Sequence, residues 1–246
     1  MNKRWEILPI DEKKQILLEK NLHISSSLAE ILTRKNLDEN SAKLFLNPTK
    51  IPYHDPFLLK DMEKACQRLL LALKNKEKIC IYGDYDVDGV SSTALLMTVF
   101  TKLGFNIDYY LPDRHSEGYG LHIESLQKLI PKYDLLITVD CGITALDEVD
   151  YAKDKIDMII TDHHLPREIL PDAFAIINPT QTQCNYPNKN LCGVGVAFKL
   201  CQGLYQSLNK DIHELENYLD IVALGTIADI VPLVDENRRI VKKGLA

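Results

Sequence analysis

Between Lys78 and Asn178 the chain alternates short apolar runs with longer stretches whose apolar residues recur at helical spacing. The runs are rich in β-branched and aromatic residues and are bounded by Gly, Asp or Pro. They predict strands at Lys78–Gly83, Asn106–Leu111, Asp134–Asp140, Ile156–Asp162 and Phe174–Asn178. The helical stretches predict helices over Val90–Leu103, from Leu121 onward, and between the third and fourth strands. Alternation of this kind implies the α/β class: a mostly parallel five-stranded sheet flanked by helices. Beyond Gln181 the spacing turns helical again, over Gly193–Leu208 and Ile212–Ala228.

Residues 1–75 read as a helical N-terminal leader, with Ser25, Ser26 and Ser27 before an apolar-periodic stretch and the Pro-punctuated NPTKIPYHDP near its end. No catalytic cluster falls in it, and residues 76–246 read as the catalytic domain. With 246 residues, 46% of them hydrophobic, the chain can bury one full core and a smaller subdomain. A net charge of −6 and a pI near 5.7 argue against wholesale attraction to nucleic acid or an anionic membrane, so any polyanion must be held locally. The six cysteines form no C-x-x-C pair, and Cys80 and Cys141 lie in or beside strands, which predicts free buried thiols. No apolar stretch approaches the ~20 residues of a membrane span, and MNKRWEILPIDEKK lacks a signal-peptide core; the expectation is a cytoplasmic, unprocessed chain with no membrane association.

The chemistry lies where the runs end. Three of them close on aspartates, at KICIYGDYDVDG, DLLITVDCG and DMIITDHH, and parallel strands would bring those ends to one sheet edge. In GDYDVDG, Asp84, Asp86 and Asp88 recur at every second position, which in an extended segment puts all three on one side. Like charges ~4 Å apart repel by about 4 kcal/mol at an effective dielectric near 20, so the cluster calls for divalent cations. A calcium-binding EF-hand is the competing reading. It fails because the twelfth loop position is Leu95 rather than a bidentate glutamate, and because KICIY is a strand pattern. A simple helix-capping turn would explain one aspartate and leave two over. Asp140, followed by the flexible Gly142, is either a ligand or a helix cap. In Thr161-Asp162-His163-His164, adjacent imidazoles cannot readily share one ion. One is expected on metal and the other toward substrate, with Asp162 orienting an imidazole. His23, His54 and His213 have no such neighbours and read as surface or packing residues. Asp229, in ALGTIADIVPL, reads locally as helix-terminus chemistry. Two loops are candidates for substrate contact: Arg114 to Gly120, and Gly193-Val194-Gly195, whose N–H groups either meet an anion or mark close helix packing.

The motifs GDYDVDG, VDCGI, TDHH and ALGTIADIVPL, in this order, resemble the four motifs of the DHH phosphoesterase family. RHSEGYGL, Ile177-Asn178-Pro179, LCGVGVAFKL and DPFLLKDMEKA resemble its single-strand-specific 5′ exonuclease branch. The resemblance implies a two-metal phosphodiesterase using two Mn²⁺ or Mg²⁺ ions, which releases 5′-mononucleotides from single-stranded DNA in recombination and repair. It implies Asp86, Asp88, Asp140, His163 and Asp229 as metal ligands, with Asp140 bridging, Asp84 in or near the shell, and His164 against the scissile phosphate. Asp140 and His164 are then the catalytic pair. Arg114, Tyr119, Lys199, Gly193 and Gly195 are the candidates for substrate contact, and a helicase and a single-strand-binding protein are the expected partners. Where family members outside this branch carry a histidine four residues before Asp86, this chain has Tyr82, so Asp84 is expected to take over that role. Members of the branch continue into DHH-associated and OB-fold domains beyond the stretch matched here, so weak DNA binding and slow or non-processive action are expected of this chain. Two other readings stay open: a relative acting on short oligonucleotides or cyclic dinucleotides, and a non-catalytic binding module.

Overall fold

A computed structural model of the chain describes Glu6, 9–114 and 117–246. It divides into two compact units, Met1–Ile51 and Pro52–Ala246. In the first, helices α1 (Glu12–Leu22), α2 (Ser26–Arg34) and α3 (Glu39–Leu46) surround Leu18, Ala29, Leu32 and Ala42. Each helix starts on an N-cap: the side chains of Asp11, Ser25 and Asp38 accept from the N–H groups of Lys14, Leu28 and Ser41. A cap of this kind is worth about 1 kcal/mol.

The second unit opens with α4 (Met62–Asn75) and continues through β1 (Lys78–Gly83), α5 (Val87–Lys102), β2 (Asn106–Tyr110), α6 (Ile123–Leu129), β3 (Leu135–Val139), α7 (Leu146–Ala152), β4 (Asp157–Thr161) and β5 (Ala175–Ile177). It ends with α8 (Gly193–Ser207), α9 (Leu219–Ala228) and α10 (Asp235–Gly244). The five strands are all parallel, in the order β2-β1-β3-β4-β5. Strand side chains alternate between two apolar layers. Ile79, Ile81, Ile137 and Ile159 share a core with α4, α5 and α8, while Cys80, Tyr82, Leu136 and Ile160 pack with α6 and α7. Connections leave β1 for β2 on one side and reach β3 on the other. The switch point therefore lies between the C-terminal ends of β1 and β3, the place where doubly wound sheets bind ligands.

The strand expectations hold to within two residues at either end. Met62, Ala65, Cys66 and Leu69 of α4 are buried in the same core as the sheet, and the division into compact units falls at Ile51/Pro52, upstream of residue 75. The helix expected over Ile212–Ala228 is a 3-10 turn (Ile212–Tyr218) followed by α9, and α10 lies beyond every predicted element. All six cysteines are free and buried. Among the described residues no helix is long and apolar enough to cross a membrane.

Candidate metal centre

β1 ends at Gly83, and α5 begins at Val87 with Asp86 as its N-cap, the Asp86 carboxylate accepting from Gly89 N at 2.9 Å. Two glycines allow so tight a turn. A Cβ on Gly83 would lie 2.2 Å from Thr93 Oγ1, and one on Gly89 would lie 2.6 Å from the Asp84 carbonyl oxygen. The motif is thus not extended, and its three aspartates do not line one side. Asp84 and Asp86 gather with Asp140, while Asp88, in the first turn of α5, gathers with His163 and Asp229. Leu95, which excluded the EF-hand, is fully buried in α5.

Asp140 directly follows β3 in a left-handed conformation, φ 60°, and Gly142 takes φ 109°. The Asp140 N–H still bonds Thr161 O at 3.0 Å, so the carboxylate leaves the sheet from a fixed point. Its Oδ1 lies 3.1 Å from His163 Nε2, which in turn lies 3.6 Å from Asp229 Oδ2 and 3.9 Å from Asp88 Oδ2. Four atoms in this space, Asp84 Oδ1, Asp140 Oδ1, His163 Nε2 and Asp229 Oδ2, are buried without a hydrogen bond. An unsatisfied buried polar atom costs about 1–3 kcal/mol, and four converging ones are what a hard or borderline cation would satisfy. Carboxylate oxygens with one imidazole suit Mn²⁺, and the Asp84/Asp86/Asp140 side, all oxygen, suits Mg²⁺ as well. In the metal-free protein, burial and then the Asp88 and Asp86 charges push Asp140 up to about 10. Burial likewise raises Asp84, Asp88 and Asp229.

His164 stands at the edge of this cluster, with one ring nitrogen within 4.8 Å of ligand atoms of Asp140 and His163. Its Nδ1 meets Asp162 Oδ1 at 2.8 Å, and that hydrogen bond raises it to about 9. Burial opposes the charge on Asp162, but the His164 bond and backbone N–H donors keep it below the usual carboxylate range; Ile143, His163 and His164 all donate to it. Asn178 Nδ2 donates to the His164 carbonyl at 2.9 Å, which gives the INP segment a positioning task. A cationic imidazole beside the cluster, half-exposed, is placed to meet a phosphate.

Of the other substrate candidates, Tyr119 is 51% exposed, with its hydroxyl 3.4 Å from His164 Nε2. Arg114 is exposed and stacks its guanidinium over Tyr85, 5.4 Å from the ring centre. His115 and Ser116 of the same motif lie outside the described residues. Three expectations are corrected. Lys199 is fully buried and cannot reach DNA: its Nζ pairs with Glu236 at 2.8 Å and donates to His54 O and Gln202 Oε1. Gly193 offers no free N–H to a substrate anion, because its N–H donates to Asp88 Oδ2 at 2.6 Å and that of Val194 to Asp88 Oδ1 at 2.8 Å. The anion at the head of α8 is thus the protein's own Asp88. Gly195 is buried too, where a Cβ would meet Leu191, the packing alternative for this motif. Tyr82 is buried on the opposite sheet face and donates to Gly120 O at 3.0 Å, so it holds a loop rather than facing the metals. Two contributors went unread in the sequence. Tyr85 sits between two of the aspartates, and Gly225, an isolated glycine in the apolar ALGTIAD, leaves room for Asp88 Oδ1 where a Cβ would stand 2.8 Å away.

A carboxylate-rich cluster with two adjacent imidazoles, at the switch point of a doubly wound parallel sheet, has the donor set that could hold divalent metal. Residues 78–226 match the DHH family, N-terminal domain. The chain is 45% identical over 245 residues to the single-stranded-DNA-specific exonuclease RecJ of Bacillus subtilis, covering 98% of this chain and 30% of that protein. It is 42% identical over 200 residues to RecJ of Escherichia coli, covering 76% and 35%. A crystal structure of RecJ in complex with Mn²⁺ from Thermus thermophilus superposes with a TM-score of 0.83 at 29% identity, covering 98% of this chain and 34% of that one. A second, exonuclease RecJ bound to manganese, gives a TM-score of 0.71 at 37% identity, covering 76% and 48%. The chain belongs to the DHH family. It spans about a third of the length of the curated relatives it matches.

Proposed function

We infer that the chain carries the catalytic centre of a metal-dependent exonuclease that hydrolyses single-stranded DNA from its 5′ end and releases 5′-mononucleotides. The observation that carries this reading is the convergence of four unbonded ligand atoms from four separate elements, Asp84, Asp140, His163 and Asp229, at the C-terminal sheet edge. Asp84, Asp86 and Asp140 would hold one ion and Asp88, Asp140, His163 and Asp229 the other, with Asp140 shared. When bound, divalent cations supply charge neutralisation at the phosphoryl oxygens and acidify water for in-line attack. The chain's own residues position. Asp88 is locked by the head of α8, Asp140 by its β4 hydrogen bond, and His164 is kept cationic by Asp162, so that it neutralises a non-bridging phosphate oxygen. Arg114, Tyr85 and Tyr119 line the exposed side, where a strand with unpaired bases can lay sugar, base and phosphate against aromatic and guanidinium groups.

The test is a gel assay of the purified chain on a 5′-labelled single strand, its duplex and a dinucleotide, each with and without Mn²⁺. The reading requires metal-dependent mononucleotide release from the single strand. Cleavage of the dinucleotide alone would replace it with a phosphodiesterase of short oligonucleotides.

A further inference from the structure

Glu117 lies outside the metal cluster, yet its carboxylate is one of the most heavily engaged in the unit. Oε1 accepts from Tyr110 Oη at 2.5 Å and from Ser125 Oγ at 2.8 Å, and Oε2 accepts from the Asp113 N–H at 2.9 Å. These donors come from β2, from α6 and from the loop after β2. Three residues further on, Gly120 O accepts from Tyr82 of β1, whose ring lies against Tyr110, 5.3 Å between centres. Between the two anchors stands Tyr119. It meets His164 edge to face, ring centres 6.0 Å apart, and its hydroxyl is 3.4 Å from Nε2. Gly118 and Gly120 flank it with φ of 82° and 89°, so the backbone beside Tyr119 has no preference of its own to hold the ring there.

We propose that Glu117 is a positioning residue: clasped by Tyr110, Ser125 and Asp113, it fixes Tyr119 against His164 and so forms the wall that admits a single strand to the scissile phosphate. The substrate half of this claim rests on the exonuclease reading; the positioning half does not. Tyr110 and Ser125 share Oε1, so a glutamine keeps both of those bonds and loses the one from Asp113, whereas alanine loses all three. The order of effect is therefore wild type, then Glu117→Gln, then Glu117→Ala.

Two measurements on the whole chain test it. In the first, diethyl pyrocarbonate modifies exposed imidazoles and mass spectrometry follows His164. Glu117→Ala is expected to raise the His164 rate about fivefold, to the level of Tyr119→Ala, with Glu117→Gln in between and the His213 rate unchanged in all. In the second, steady-state kinetics on a single-stranded oligonucleotide with Mn²⁺ are expected to show KM about tenfold higher in Glu117→Ala, kcat within about twofold, and poorer discrimination against a blunt duplex end. Tyr110→Phe, which removes one donor and retains the ring, is the second variant should Glu117→Ala fail to fold, and it is expected to give the smaller change in the same direction. An unchanged His164 rate in folded Glu117→Ala or Tyr110→Phe overturns the positioning claim. A raised His164 rate with unchanged KM and discrimination overturns the wall. If the wild type releases no mononucleotide, the exonuclease reading and the wall fall together, while the modification rates still decide the role of Glu117.

Discussion

Gly193 stands against Asp140 so closely that a Cβ on it would lie 2.6 Å from both the Cβ and Oδ1 of the aspartate. The same residue's N–H holds Asp88. One backbone position at the head of α8 therefore sets two carboxylates of the metal centre. Gly193→Ala must push one of them aside, and overpacking of this kind costs about 1–3 kcal/mol. The expected outcome is a folded protein whose Mn²⁺ affinity, by calorimetry, falls at least about tenfold. Unchanged affinity would mean that the contact does not set the site.

Burial, with the Asp88 and Asp86 charges beside it, pushes the Asp140 carboxyl well above the usual carboxylate range in the metal-free protein and so favours its protonated form. At neutral pH a bound cation must displace that proton. Calorimetric Mn²⁺ titrations in two buffers of different ionisation enthalpy should report release of about one proton per chain at pH 7 to 8. Release should fade as pH rises through the Asp140 value and grow as pH falls, when the raised Asp88 also binds a proton. No buffer dependence at pH 7 would contradict this electrostatic account.

Asp140→Asn is nearly isosteric with the protonated carboxyl that burial favours in the metal-free protein. Its apo melting temperature should match the wild type, while the Mn²⁺-induced rise, several degrees at ~100 times Kd, should vanish together with activity. Normal turnover by the variant would remove Asp140 from the site.

Lys199 and Glu236 form a buried pair between α8 and α10. Lys199→Ala leaves Glu236 buried without its cation, a loss of about 3–5 kcal/mol. Denaturant unfolding should show this loss, with DNA affinity per folded molecule unchanged. A variant of normal stability that fails to bind DNA would restore Lys199 as a substrate contact.

The sheet edge was legible because four of the five strands are apolar runs and three of these end at aspartates, so residue type and boundary coincide. The grouping of the motif-one aspartates was not. Period-two spacing holds only in an extended chain, and here the strand gives way to a helix within three residues. Lys199 misled because α8 is buried over Gly193–Tyr205. On such a helix a lysine marks an internal ion pair rather than a solvent face, and GVGVAFKLCQGLYQ, with a lone charge in an apolar stretch, carried that signal. α10, with DENRRIVKKG, offers only two apolar side chains to the core and is also tied in by polar side chains, Glu236, Asn237, Arg239 and Lys243, which no periodicity reveals.

We infer that the unbonded atoms of Asp84, Asp140, His163 and Asp229 are the walls of a two-ion site. Crystals grown with Mn²⁺ and measured at the manganese absorption edge test it most directly. Two anomalous peaks are predicted, one bounded by Asp84, Asp86 and Asp140 and the other by Asp88, Asp140, His163 and Asp229. A map with no peak there, or with manganese bound only elsewhere on the chain, would contradict it.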